Sequence, residues 1–422
     1  MGDGGGDGGG ARVLAPFGVR SFRFLWPADL MTSLAFEMET LILGWYVLVE
    51  SGSVVWLTAF GALMFHGTLF SPMLGVIGDR IGHRNLLCLM RAFYLVMALA
   101  LMVSAFSGNL GPVLVLCLAA LAGLVRPSDL AVRGATVAAT MPAAMLVGAM
   151  GISRSTSDMA RIAGALLGAG LLAQLGMGPA YAVISACYAT GLLFTMLIAR
   201  TPAAKSVVEG VAAGFTPWRD LVEGLAYVWS TPRLLAAMWL AFLMNMTTLP
   251  LSGGLLPFVA RGVYHVDQTG LGYLSASFAF GSLIGSVWLS FAGGRLRLAR
   301  SMMVSSVIWC LILMVYARNE TFGTGLLLLG LAGVTQSLCM VTLAVMLLRT
   351  SEERLRGRVM GVRMLAIFSQ TFGLMFAGWL IAQFGFGWTA MLLSGSALAC
   401  TLAIMVWWQP DLWPEQAPAN AR

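Results

Sequence analysis

The chain has 422 residues, of which 59% are apolar and only 10% are charged, with a formal net charge of +7. A soluble core could not bury so much apolar surface, so the composition excludes a water-soluble globular protein and indicates a polytopic membrane protein. The sequence contains no nucleotide-binding Walker motif, no metal-ligand spacing and no nucleophile motif. We therefore expect no enzymatic activity, no metal and no cofactor.

Residues 1–11, which include two Gly-Gly-Gly runs, have too few apolar side chains to support a fold, and no cleavable signal peptide is visible. We therefore expect a disordered cytoplasmic tail over 1–21. Twelve apolar segments follow, each long enough to cross a hydrocarbon core of about 30 Å. These predicted spans are 22–49, 54–77, 85–106, 111–133, 143–174, 179–199, 232–257, 268–293, 301–317, 322–348, 358–385 and 387–408.

The longest polar connection, 200–231, separates two groups of six spans, 22–199 and 232–408. Transporters built from repeated halves have this organisation. Within the connection, Thr216-Pro217-Trp218 predicts a helix start, and apolar residues follow at helical spacing. This segment therefore predicts a short amphipathic helix on the cytoplasmic membrane surface, with packing on the helix bundle as the alternative.

Basic residues predict the orientation in the membrane. Twenty of the 25 Lys and Arg residues, including Arg126 and Arg133, fall at the termini, in even-numbered connections or at the helix ends beside them. Only Arg261 and Arg318 fall on the opposite side. Since cytoplasmic connections carry an excess of Lys and Arg, both termini, including the tail 409–422, should be cytoplasmic. The basic residues are 24 Arg and one Lys, which together with abundant Ala and Gly suggests a GC-rich bacterial genome, so we expect the inner membrane of a bacterium.

A charged hairpin lies between spans 2 and 3. It resembles the G-x-x-x-D-R-x-G-basic-basic loop of major facilitator superfamily transporters, and the matching residues are Gly75, Asp79, Arg80, Gly82 and Arg84. The Phe22-Arg23-Phe24-Leu25-Trp26 stretch that opens span 1, and Arg356-Gly357-Arg358-Val359-Met360-Gly361 before span 11, resemble the drug and siderophore exporter branch, of the enterobactin type. The resemblance implies an all-α membrane protein with twelve transmembrane helices in two pseudo-symmetric six-helix halves.

The hairpin has a mechanical role in that superfamily. The resemblance implies that the carboxylate of Asp79 meets the start of helix 11, near Arg358, and latches the cytoplasmic side when the cavity opens outward. A carboxylate is also favoured at the positive end of a helix dipole. For Arg80 and Arg84, the alternative is that they anchor a cytoplasmic loop. His83 stands where the family usually has Arg or Lys.

Span 1 contains acidic residues, and an ionisable side chain inside a membrane costs roughly a few kcal/mol or more, so each is a functional candidate. Glu37 lies about midway along the span and shares a small and polar face with Thr40. Glu39 points about 200° away from Glu37, toward apolar neighbours. We therefore expect Glu37 to line the cavity. Asp29, near the cytoplasmic end, should snorkel or pair with Arg20 or Arg23.

Span 5 contains Arg154, Asp158 and Arg161 at positions i, i+4 and i+7, which share one helix face. One interpretation is a buried ion-pair network that fixes helix packing. The other is a proton site, in which Glu37 or Glu39 binds a proton and competes for Arg154 or Arg161. The sequence leaves both open.

Two further ionisable residues fall within spans. His66, near the middle of span 2, could join a proton relay because its unperturbed pKa lies near neutrality, although a lone His is more often a packing residue. Arg91 in span 3 should snorkel to the cytoplasmic interface. After Arg161, Gly164-Ala165-Leu166-Leu167-Gly168-Ala169-Gly170 resembles the exporters' glycine motif, with Ala169 in place of the family Pro; close helix packing is the default interpretation.

The second group of spans has no central charges and offers neutral polar residues among aromatic ones. Such a lining suits an amphiphilic or lipophilic substrate, although ordinary helix packing explains most of these residues equally well. Together with Thr40 of span 1, the cavity candidates are Asn245, Gln336, Gln370, Phe242 and Phe372.

We therefore predict a secondary active transporter that is powered by the proton gradient and moves a small amphiphilic molecule, such as a drug or siderophore, by efflux or antiport. It should alternate access by rocking one half against the other. A lipid or lysolipid translocator on the same fold is the alternative. The expected partners are a small-molecule substrate and the lipid bilayer, with no nucleic acid, and the chain should act as a monomer.

Overall fold

The computed structural model describes residues 15–199, 217–292 and 297–412, and within these ranges the chain is helical without strands. Lipid favours this outcome, because an α-helix satisfies the hydrogen bonds of its own backbone. The prediction of an all-helical membrane protein is confirmed. Most of the predicted tails and linker, at 1–14, 200–216 and 413–422, lies outside the described residues.

The helices are numbered here in chain order. The first seven are α1 (Arg20–Ser51), α2 (Val54–Phe65), α3 (Ser71–Ile81), α4 (His83–Phe106), α5 (Pro112–Thr140), α6 (Ala143–Leu175) and α7 (Met177–Met196). The others are α8 (Pro217–Ser230), α9 (Pro232–Leu249), α10 (Leu256–Gly262), α11 (Gln268–Ala292), α12 (Leu298–Tyr316), α13 (Phe322–Thr350), α14 (Arg356–Trp407) and α15 (Gln409–Leu412).

Ten helices among the described residues are long and apolar enough to cross a membrane, so the count of twelve stays a prediction. Predicted span 2 is interrupted, since a 3-10 turn at His66–Phe70 separates α2 from α3. Predicted spans 11 and 12 are joined in α14, whose backbone leaves helical geometry at Gly385 with φ 77° and ψ 169°. Glycine adopts this positive φ without the steric penalty of a Cβ atom.

By their contacts the helices group into two compact units. The first comprises Met1–Leu43 and Phe70–Gly214. Among its described residues, α4 packs along α7 and against α5, and α3 packs on both α4 and α5. The rings of Tyr94 in α4 and Tyr188 in α7 are buried, with centroids 5.8 Å apart. The core of this unit therefore contains aromatic rings that carry hydroxyl groups.

The second unit comprises Gly44–Leu69 and Phe215–Arg422. In it α13 packs against both α11 and α12, and α14 packs along α9 and α2. Small residues allow this approach: a Cβ atom added to Gly285 of α11 would lie 2.7 Å from the carbonyl oxygen of Val334 in α13. Membrane helices use such residues to bring backbones close together. The two predicted halves, 22–199 and 232–408, stay a prediction.

Gly285→Val should destabilise the second unit, because the added side chain must displace the backbone of α13 by several tenths of an ångström. We expect a loss of about 1–3 kcal/mol, measured as a lower thermal unfolding temperature of the purified protein in detergent. Gly395→Val is the matched control, since a Cβ atom at this helical glycine would have no neighbour within 4 Å. Equal unfolding temperatures for the two variants would contradict the packing argument.

Candidate functional site

The membrane-spanning helices of the first unit hold a network of ion pairs. Five carboxylates and five guanidinium groups form it among the described residues, so the network is neutral when all ten are ionised. The carboxylates belong to Asp29, Glu37, Glu39, Asp129 and Asp158, and the guanidinium groups to Arg91, Arg126, Arg133, Arg154 and Arg161.

Glycines set the position of the network by bringing α6 against α1. A Cβ atom at Gly164 would lie 2.7 Å from the Cβ of Glu37, and one at Gly168 would lie 2.9 Å from the Cα of Met38. The glycine-rich stretch therefore serves close helix packing, which was its default interpretation. Because Arg161 lies one turn before Gly164, the same approach places its guanidinium beside α1.

Glu37 pairs with Arg161, whose Nε lies 3.6 Å from the Oε1 of the carboxylate. Both side chains are only partly buried, with exposed fractions of 25% and 36%. Glu37 is the most exposed of the five carboxylates in the network. Arg154 instead pairs with Asp158 on its own helix, at 3.3 Å. The predicted cluster on span 5 is therefore divided between an ion pair to α1 and an ion pair within α6.

Glu39 takes a partner that sequence reasoning missed. Its carboxylate pairs with Arg126 of α5 and accepts a hydrogen bond of 2.8 Å from the hydroxyl of Tyr188. The guanidinium of Arg126 also lies 4.2 Å from the ring centroid of Phe36. The topology rule predicts that Arg126 anchors the cytoplasmic end of span 4, and this is wrong: its side chain is buried and ion-paired. Glu39 does not pair with Arg154 or Arg161.

Asp29 is also paired differently from the prediction. Its partner is Arg91 of α4, which is fully buried and also donates to the hydroxyl of Thr195 in α7. The prediction that Arg91 snorkels is wrong, because a buried carboxylate of α1 compensates its charge. The expected pairing of Asp29 with Arg20 or Arg23 is wrong as well, and Arg23 instead donates to the carbonyl oxygen of Phe17, at 2.6 Å.

Arg133 of α5 adds to the cluster formed by Asp29 and Arg91. It pairs with Asp129 on the same helix, lies 3.6 Å from Asp29 and donates a hydrogen bond of 2.7 Å to Ser33. The sequence contained a signal for it, since Arg126, Asp129 and Arg133 are spaced i, i+3 and i+7 and share one helix face. The topology rule considers only the basic residues and gives no role to Asp129.

The remaining ionisable candidates lie outside this network. His66 begins the 3-10 turn after α2, and its Nδ1 lies 2.6 Å from the carbonyl oxygen of Leu63. In the hairpin, Gly82 connects α3 and α4 with a φ of 86°, which favours glycine. Arg84 donates to the carbonyl of Met196, the last residue of α7, where a cation is favoured.

The structure describes the side chains of only some of the other hairpin candidates. Arg80 is exposed near the C-terminal end of α3. Gly75 and Asp79 both belong to α3, but the side chain of Asp79 and the surroundings of Gly75 lie outside what the structure describes. Arg358, in the first turn of α14, pairs with Glu223 of α8. The latch role of Asp79 therefore stays a prediction.

The cavity candidates differ in exposure. Asn245 is buried and donates to the carbonyl of Ala241 within α9, and Gln370 is buried in α14. Gln336 accepts a hydrogen bond of 3.3 Å from Ser282. Phe242 and Phe372 are exposed, which fits contact with either lipid or substrate. Thr40, in the first unit, lies 3.4 Å from the guanidinium of Arg126.

Comparisons with solved structures show similar folds along nearly the whole chain. A POT family transporter in complex with a thioalcohol-conjugated peptide has a TM-score of 0.73 at 13% identity, covering 94% of this chain and 97% of that one. The nucleoside transporter NupG has a TM-score of 0.72 at 15% sequence identity, covering 94% of this chain and 99% of that one. A D-xylose–proton symporter has a TM-score of 0.68 at 11% sequence identity, covering 91% of this chain and 97% of that one. A comparison with curated protein sequences found no match.

These similarities show a common fold, and the match to a family model described below gives the class of protein, a transporter of the major facilitator superfamily. Within that superfamily the chain belongs to the transmembrane secretion effectors (MFS_3), whose pattern it matches over residues 11–420. The predictions of a multi-pass membrane protein and a major facilitator transporter are thereby confirmed.

Removing Arg91 tests the buried cluster. Arg91→Met should cost about 3–5 kcal/mol, because it leaves the carboxylate of Asp29 buried with only the more distant Arg133 to compensate it. The double variant Asp29→Asn/Arg91→Met should recover part of that loss. Thermal unfolding in detergent measures both, with Arg80→Met, at an exposed arginine, as the control. No recovery in the double variant would show that the pair is not coupled.

Proposed function

We propose that the protein is a proton-coupled exporter of small amphiphilic molecules, such as drugs or siderophores, working as a monomer in a bacterial inner membrane with both termini in the cytoplasm. The observation that carries the proposal is the ion pair between Glu37 and Arg161. It joins a partly exposed carboxylate of α1 to a partly exposed guanidinium of α6. We expect the exposed side of Glu37 to face the cavity, from which a proton could reach this pair more readily than the buried pairs.

The charge balance of the network explains how protonation could drive movement. When Glu37 binds a proton, the attraction that holds Arg161 beside α1 is lost, and a cation in a low-dielectric surrounding must find another partner or water. The helix face that contains Arg161 also contains Asp158, already paired with Arg154. After protonation of Glu37, Arg161 would compete with Arg154 for Asp158 on the same helix. The loss of its attraction to α1 would then let α6 move away from α1.

The direction of transport and the class of substrate rest on other observations. The family description, transmembrane secretion effector, supports export. A proton symporter among the similar folds supports a proton as the coupling ion. In the second unit, the exposed rings of Trp239 and Phe242 on α9 and of Phe372 on α14 provide apolar contact surface. Such a surface suits an amphiphilic substrate better than a sugar-like one.

Glu37→Gln should abolish coupling while leaving the transport path in place. In proteoliposomes, the pH-gradient-driven transport of a fluorescent amphiphilic dye should fall roughly tenfold or more, whereas exchange of dye across the membrane without a gradient should persist. Glu320→Gln is the control, at an exposed carboxylate outside the candidate spans. Undiminished gradient dependence in Glu37→Gln would remove Glu37 from the mechanism. Movement of labelled lipid, with no movement of any dye, would favour the lipid translocator.

Asp79→Asn tests the proposed gate. We expect a lower transport rate at unchanged expression, because the neutral amide loses the charge that would hold the gating contact. Arg80→Gln, in the same hairpin, should keep most of its transport if Arg80 serves only to anchor the loop. Membrane-fraction expression and dye transport in the same cells measure both effects. Wild-type rates in Asp79→Asn would contradict the gating role.

A further inference from the structure

Over residues 221–230, where its side chains are described, helix α8 has two faces of different character, and its outward face carries large apolar side chains. Val222, Leu225 and Trp229, spaced i, i+3 and i+7, are exposed by 50%, 43% and 63%. This spacing places the three side chains in one stripe along the helix. A helix face that met only water would favour polar residues at these positions, so the stripe indicates another surrounding.

The inward face of α8 is fitted closely to the first turn of α14. A Cβ atom at Gly224 would lie 2.9 Å from the carbonyl oxygen of Arg358, so a glycine is what permits this approach. Glu223 pairs with the guanidinium of Arg358. The hydroxyl of Tyr227 accepts a hydrogen bond of 3.3 Å from the backbone N–H of Glu352. Contacts before and inside the first turn of α14 therefore hold α8 in place.

The position of α8 in the chain indicates what covers the apolar stripe. α8 ends at Ser230, and the candidate membrane span that contains α9 begins two residues later, at Pro232. α14, its neighbour in space, also begins a candidate span. The helix that carries the stripe therefore lies beside the starts of two candidate spans, which in a bilayer would place it near the boundary between hydrocarbon and head groups. Tryptophan is enriched at this depth, and amphipathic helices lie in it.

We propose that α8 is a membrane-surface site for phospholipid: Val222, Leu225 and Trp229 insert between the acyl chains, while Glu223 and Gly224 tie the helix to the start of α14. The position of α8 at the lipid surface then influences the first turn of α14. Arg358 lies in that turn, so the lipid contact acts on a residue that the sequence assigns to gating. Neither contact depends on a transported substrate or on a proton gradient.

The lipid contact can be tested with the full chain in phosphatidylcholine–phosphatidylglycerol nanodiscs. Val222→Cys and Leu225→Cys are labelled with bimane in a background that lacks the exposed Cys117 and Cys400, and Glu320→Cys is the control at an exposed position outside the spans. We expect lipid-borne spin labels to quench positions 222 and 225 at least about twofold more than position 320, and aqueous iodide to quench them less.

Two outcomes would overturn the lipid contact. Quenching by iodide equal to that at position 320 would mean that the stripe faces water. Protection from both quenchers would mean that protein covers it, for example a second copy of this chain. Because neither measurement uses transport, a failure of the proposed exporter function would leave these results unaffected.

The tie to α14 can be tested by hydrogen exchange in the same nanodiscs. Gly224→Leu should separate the helices and raise amide exchange in residues 356–362 roughly threefold or more, since the contact that orders the turn is lost. Gly395→Leu is the matched control, because a Cβ atom at this glycine, far along α14 from residues 356–362, would have no neighbour within 4 Å. Glu223→Gln tests the tie without added bulk. Unchanged exchange over 356–362 in both Gly224→Leu and Glu223→Gln would overturn it.

Discussion

The need to compensate every charge inside the membrane determines much of the first unit. Five carboxylates and five guanidinium groups meet there on α1, α4, α5 and α6, and each is within ion-pair distance of an opposite charge. Separating such a pair leaves an ion where solvation is poor, so the pairs constrain which helices can part. Arg91 shows the constraint most clearly, because it joins Asp29 of α1 to Thr195 of α7 and has no exposed surface.

Glycines supply the geometry in which these charges can meet. Without Gly164 and Gly168, α6 could not approach the backbone of α1 near Glu37, and Arg161 would be held farther from its acid. In a bilayer, apolar burial contributes little between helices, so close van der Waals contact and polar pairs together determine the packing. The same principle operates in the second unit at Gly285, and at the surface where Gly224 meets α14.

Composition and motif were enough to predict the fold class, because lipid as a solvent leaves an all-helical chain few alternatives. The pairing of Glu37 with Arg161 was among the alternatives that spacing left open. The partners of Glu39 and Asp29 could not be foreseen, since Arg126, Arg133 and Arg91 near predicted helix ends also satisfy the topology rule. Periodicity on one helix gives the face of a residue, but it does not give the helix that this face meets. Only the ion pairs that Arg91 and Arg126 make with acids of α1 separate a snorkelling arginine from a buried partner.

The distribution of charge limits where a proton can act. The candidate spans from α9 to α14 contain no Asp or Glu, so a proton that neutralises a membrane-embedded carboxylate must do so on α1, α5 or α6. Four of the carboxylates there have nearly buried side chains. To reach one of them, a proton would have to pass through protein or separate a close ion pair. Glu37 combines a looser contact with a partly exposed side chain. In the proposed mechanism Glu37 would act as the switch, because its side chain is partly exposed and its partner Arg161 lies on a helix whose glycines hold it against α1.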